Sequence, residues 1–147
     1  MKVSEVMTAP AVAVPPHETL SEVTRRMSGS GVGSVLVVEE GTLRGIVTDR
    51  DIAVRGLGAG LPPATAVEAV MSAEVVTVDA ADDVQTAYRA FRRSGVRRLP
   101  VLDGRRPVGV VTIDDLLLDV FRRLADLLGP VAWSVLREPP GPPSHAP

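Results

Sequence analysis

Apolar and polar positions switch between two periods along the chain, and they do so twice. Val12, Ala13 and Val14 form a short β-prone segment. Leu20, Val23 and Met27 then recur at helical spacing, as one buried helix face requires. Thr19 opens that stretch with Glu22 three positions on, the pattern of a capping box. Gly31 stands where a left-handed C-terminal cap ends a helix. Residues 34–39 and 43–48 read as two strands about a turn at Glu40 and Gly41. Acidic Asp49 and Asp51 suit the partly positive start of a second helix.

The same order returns 64 residues later. Val76, Thr77 and Val78 repeat the first strand. Val84, Ala87, Tyr88 and Phe91 repeat the helix face, and Gly95 its cap. Strands at 98–102 and 108–112 flank Asp103-Gly104, and Asp114-Asp115 open the next helix. Residues 3–52 align with 67–116 without a gap, and fifteen of those 50 positions are identical. A constant register at that identity marks an internal duplication.

The predicted fold class is therefore α/β (α+β): two β-α-β-β-α repeats packed as a pseudo-twofold pair, plus a C-terminal helix. Repeat 1 spans 2–55, a Gly- and Pro-rich linker 56–65, and repeat 2 spans 66–120. A helical extension covers 121–138, with Leu117, Val120, Phe121, Leu124 and Leu128 spaced for burial. Gly129-Pro130 is predicted to stop the long helix, leaving one or two turns over 131–136. The Pro-rich tail, 139–147, is expected to be disordered.

Composition narrows the chemistry. The 147 residues contain no cysteine, which excludes disulfides, thiolate metal sites and cysteine nucleophiles. His17 and His145 are the only histidines, so a histidine metal cluster or a serine–histidine triad has little to build on. A net charge of −2 argues against a nucleic-acid-binding face. No run approaches the ~18 apolar residues of a membrane span, and residues 1–10 lack a signal peptide's apolar block. A cytoplasmic protein without a membrane or nucleic-acid partner is the expectation.

The candidate chemistry lies at the duplicated strand-to-helix junctions. These read Gly45-Ile46-Val47-Thr48-Asp49-Arg50-Asp51 and Gly109-Val110-Val111-Thr112-Ile113-Asp114-Asp115. A Thr hydroxyl can donate to a phosphate, and an ionised Asp three residues on can accept from two ribose hydroxyls. Read locally, each pair is more simply a helix cap. Its repetition in two copies able to face each other favours a ligand site.

With those residues in view, the chain resembles a tandem of CBS domains (a Bateman module), the regulatory unit named after cystathionine beta-synthase. The resemblance rests on Val6-Met7-Thr8, Gly31-Val32, the junction from Gly45 to Ile52, Arg97-Arg98-Leu99-Pro100-Val101, and the second junction. It covers nearly all of residues 2–120. It implies clefts between the repeats that hold an adenosine-containing ligand: AMP, ADP, ATP, NAD or S-adenosylmethionine. Carried over, Asp51 and Asp115 hold ribose, Thr48 and Thr112 contact ribose or phosphate, and Val12 and Val76 line the adenine. Arg97 and Arg98 match a basic pair that touches phosphates, whereas repeat 1 has Gly33-Ser34 there. The expectation is that the cleft around Thr112 and Asp115 prefers a phosphorylated ligand. The alternative is that both arginines form surface ion pairs.

The resemblance further implies a stand-alone, non-catalytic sensor. It is expected to pair as a homodimer through the Leu116 to Leu128 helix and Trp133, and to act on a protein partner not yet identified. The competing reading is a structural or adaptor dimer with vestigial clefts. Gly29-Ser30-Gly31-Val32-Gly33 follows a helix and precedes a strand, the reverse of a dinucleotide loop, and reads as a helix stop. The Asp pairs lack an accompanying base or nucleophile, so an enzyme is the weakest class.

Overall fold

The computed structural model describes residues 1–137, which leaves the expected tail at 139–147 outside the described residues. Two three-stranded sheets carry the fold. The first runs β1 (Ala13–Val14), β2 (Ser34–Glu39), β3 (Thr42–Thr48) in that spatial order. The second runs β4 (Val78–Asp79), β5 (Arg98–Asp103), β6 (Arg106–Thr112). In each, the outer short strand is parallel to the central strand and the hairpin is antiparallel. The hairpin turn at Glu40 and Gly41 has both φ angles positive, at 50° and 76°. That twist matches the right-handed twist of the flanking strands.

Helix α1 (Leu20–Ser30) covers the first sheet, and α3 (Val84–Ser94) the second. Leu20, Val23 and Met27 are buried on α1, and Val84, Ala87 and Phe91 on α3, the faces the spacing predicted. Gly31 and Gly95 cap the two helices with φ of 64° and 69°. At the start of α1 the capping box is only half formed. Thr19 accepts from the Glu22 amide, but the Thr19 amide donates to Glu18 instead.

The short helix α2 (Asp49–Asp51) continues as a π-helical stretch through Ile52–Gly56. Helix α4 spans Ile113–Arg137 and passes straight through Pro130. The predicted stop at Gly129-Pro130 does not occur. Pro130 removes one backbone donor, but this part of the helix is exposed, and water can satisfy the freed carbonyl.

The repeats and the packed halves are offset. The first core gathers Val14, Val23, Val35, Val37 and Val47 together with Val67 and Val70 from the start of repeat 2. The second gathers Val78, Ala87, Leu99, Val101 and Val111 together with Val3 from the start of repeat 1. Each N-terminal segment thus packs on the other repeat. Backbone pairs seal the exchange. Thr8 and Val110 exchange bonds of 2.9 and 3.0 Å, and Ile46 and Ser72 exchange bonds of 3.0 and 2.9 Å.

Central strands β2 and β5 each carry three consecutive buried residues. Side chains alternate across a strand, so Leu36 and Pro100 point away from the helix-covered face. Both are fully buried. That places them between the two sheets, where β3 also lies against β6.

Candidate functional site

Both strand-to-helix junctions fold into reciprocal boxes. The Thr48 hydroxyl accepts from the Asp51 amide at 3.1 Å, and the Thr48 amide donates to Asp51 Oδ2 at 2.9 Å. Thr112 and Asp115 repeat this at 3.0 and 2.9 Å. The local capping reading is therefore correct, and it does not exhaust the groups. Each Thr keeps its own hydroxyl proton, and each Asp keeps Oδ1 outside the box. Arg55 Nε lies 4.0 Å from Asp51 Oδ1.

Each box borders a cavity that is completed by the other repeat. A cavity of about 290 Å³ joins Thr48 and Asp51 to Val76, Val96, Arg97 and Arg98. A second, of about 220 Å³, joins Thr112 to Val12, Val32, Gly33, Ser34 and Arg98. The crossing follows from the pseudo-twofold packing, which sets the residues leading into β5 against the end of β3, and those leading into β2 against the end of β6.

That crossing spreads the expected grouping over both junctions. Arg97 and Arg98 were expected to serve the Thr112–Asp115 cleft. Both line the Thr48 cavity, and Arg98 also lines the 220 Å³ cavity beside Thr112. A cleft of only 50 Å³ beside Thr112 and Asp114 is lined by both arginines too. The basic pair sits between the sites. Asp51 lines its cavity, whereas Asp115 does not line the corresponding one.

The ion-pair alternative for the arginines is not seen. Among the described residues, neither Arg97 nor Arg98 forms an ion pair or a side-chain hydrogen bond. A Cβ on Gly33 would sit 3.3 Å from Asp49 Oδ2 and 3.4 Å from Arg98 Nη2, so the glycine faces both groups.

Val12 and Val76 differ in their backbone. The Leu36 amide donates to the Val12 carbonyl at 2.9 Å. Pro100 occupies the matching position in β5 and has no N–H to offer Val76. β4 accordingly begins at Val78, one position later in the repeat than β1, and Val76 is 41% exposed at the cavity wall. Val96 and Glu74 in one cavity, and Thr8, Pro10 and Val32 in the other, were not singled out as site residues. Val32 and Val96 carried a usable signal, since both follow the repeated helix-ending glycine.

The fold is a pair of duplicated β-α-β-β-α units whose cavities are completed across the repeats. The CBS domain family model matches residues 3–57 and 67–122, and the chain belongs to that family. It is 36% identical over 117 residues to the CBS domain-containing protein YhcV of Bacillus subtilis, covering 80% of this chain and 84% of that one. The structure of Hypoxic Response Protein I with two coordinated zinc ions superposes with a TM-score of 0.72 at 32% identity, over 80% of this chain and 97% of that one. The CBS domain protein PAE2072 of Pyrobaculum aerophilum, solved with AMP, has a TM-score of 0.72 at 26% identity, over 79% and 90%.

Proposed function

We propose that the chain is a non-catalytic regulatory module that binds an adenosine-containing ligand between its two CBS repeats. One observation carries this reading. An inter-repeat cavity stands at each junction, bordered by Thr48 and Asp51 in one half and by Thr112 in the other, with uncommitted guanidinium groups between the cavities. The AMP bound by PAE2072 supports the ligand class.

The ribose hydroxyls would donate to Asp51 Oδ1 in the first cavity. The Thr hydroxyl protons and Arg97 or Arg98 would meet phosphate, through charge-assisted bonds. The Val76 carbonyl, without the donor that Val12 has, would accept from the adenine amino group. Ligand pockets usually span roughly 300–1,000 Å³. The 290 Å³ cavity stands at the small end, which suits AMP or ADP better than NAD.

A ligand held by both repeats favours the arrangement it binds best, and that shift is the signal. Its output would be a change in a homodimer built on α4, read by a protein partner in the cytoplasm. Leu117, Phe121, Leu124, Leu128 and Val131 recur at alternating spacings of four and three and are each about half exposed. That is the seam of a helix that packs on another helix. No helix among the described residues is long and apolar enough to cross a membrane.

The same seam favours the second reading, an adaptor dimer with vestigial clefts. A thermal-shift screen with AMP, ADP, ATP, NAD and S-adenosylmethionine separates the two. A ligand selective for the folded state raises the melting temperature. A rise with at least one compound supports the sensor, and a flat response to all five supports the adaptor.

A further inference from the structure

Among the described residues, Arg98 is the only one common to the linings of the 290 and 220 Å³ cavities. It opens β5 opposite Thr112, its partner in the β6 register, yet it also borders the cavity that holds Thr48 and Asp51. Its counterpart across the pseudo-twofold is Ser34, paired with Thr48, which brings no charge. The two cavities therefore have one such guanidinium between them rather than one each. Arg97 lines the Thr48 cavity and not the 220 Å³ one.

We propose that the two cavities compete for Arg98, so that a phosphorylated ligand in one weakens phosphorylated-ligand binding in the other. This inference rests on the adenosyl-binding reading above. A guanidinium committed to one phosphate cannot hold a second at full strength, and two phosphates drawn to one side chain repel each other. The coupling is negative and reciprocal. It requires charge on the ligand, so an unphosphorylated nucleoside escapes it. The physical consequence is a graded sensor: one cavity fills at low ligand concentration and holds the other in reserve for high concentration.

The test uses the full chain and AMP, with adenosine as the uncharged control. Occupancy is read separately at the Val76 methyls for the Thr48 cavity and the Val12 methyls for the Thr112 cavity. Each cavity is also filled in turn, by Val76→Trp or Ala11→Trp, and AMP binding is measured at the other. Filling the cavity that binds AMP more tightly is expected to tighten AMP at the remaining one by about 10-fold, within the usual range of coupling between sites. Adenosine is expected to change less than twofold. A second AMP detectable only after the first cavity is filled is the same result at its extreme.

Arg98→Gln provides an arm that needs no tryptophan. It is expected to bring the ratio of the two stepwise AMP constants about 10-fold closer to the ratio for adenosine. Affinity at one cavity that ignores occupation of the other, together with an unchanged ratio in Arg98→Gln, overturns the sharing and leaves the adenosyl reading standing. Absence of both AMP and adenosine binding overturns both.

Discussion

Met7 lies so close over Gly109 that a Cβ on the glycine would meet its sulfur at 2.8 Å and the Thr8 carbonyl at 2.7 Å. Met71 and Ser72 stand in the same relation to Gly45, at 2.6 and 2.7 Å. Each pair marks the point where the leading segment of one repeat crosses onto the other repeat's hairpin. The ladder bonds there run backbone to backbone, so no side chain fits between. Gly45→Ala and Gly109→Ala are each expected to destabilise the protein by about 1–3 kcal/mol, the usual cost of overpacking. Urea denaturation reads this directly. A midpoint unchanged by either substitution contradicts the crossed packing.

The Thr–Asp boxes have a structural share that can be measured alone. Thr48→Val and Thr112→Val each remove a hydroxyl that accepts from a helix amide. Each is expected to lower stability by about 1 kcal/mol, as losing an N-cap oxygen generally does. Thr48→Ser keeps the acceptor and is expected to restore most of the loss.

Asp51→Asn separates the cap from the ligand. The amide oxygen still accepts from the Thr48 amide, while the group replacing Oδ1 becomes a donor. Stability is expected to change by less than about 0.5 kcal/mol, since the box survives. Affinity for AMP is expected to fall about 10-fold, as one charge-assisted bond is lost. Equal AMP affinity in Asp51→Asn and the wild type, by calorimetry, contradicts a ribose role for Asp51.

Much of this arrangement was legible in the sequence. The gapless 64-residue offset located both repeats, and helical spacing found the buried faces of α1 and α3. Gly31 and Gly95 marked their ends because left-handed caps favour glycine. The crossing of segments was not legible. Val3 and Val67 share the same local pattern, and hydrophobic spacing says that a residue is buried without saying against which copy. That Arg97 and Arg98 also face Thr48 was hidden for the same reason: the partner across the interface is a property of the packing. Pro100 held a local clue, since without an N–H it cannot give the Val76 carbonyl the donor that Leu36 gives Val12. Pro130 misled in the other direction, because an exposed helix tolerates one lost donor.

The α4 seam leads to a prediction about assembly. Leu124→Glu with Leu128→Glu places two charges in the stripe of exposed apolar residues and touches neither core. By light scattering, the unaltered chain is expected at twice its 15.5 kDa mass and the double variant near 15.5 kDa. Far-ultraviolet circular dichroism is expected to be alike for both. An unaltered chain that runs as a monomer at micromolar concentration contradicts the dimer.

The most direct test of the whole account is a crystal structure of the protein grown with AMP. The account predicts AMP between the repeats, with ribose hydroxyls within hydrogen-bond reach of Asp51 Oδ1 and the phosphate against Arg97 or Arg98. AMP bound instead in the apolar groove formed by Tyr88, Phe91 and Leu117, or nowhere on the chain at millimolar concentration, would contradict it.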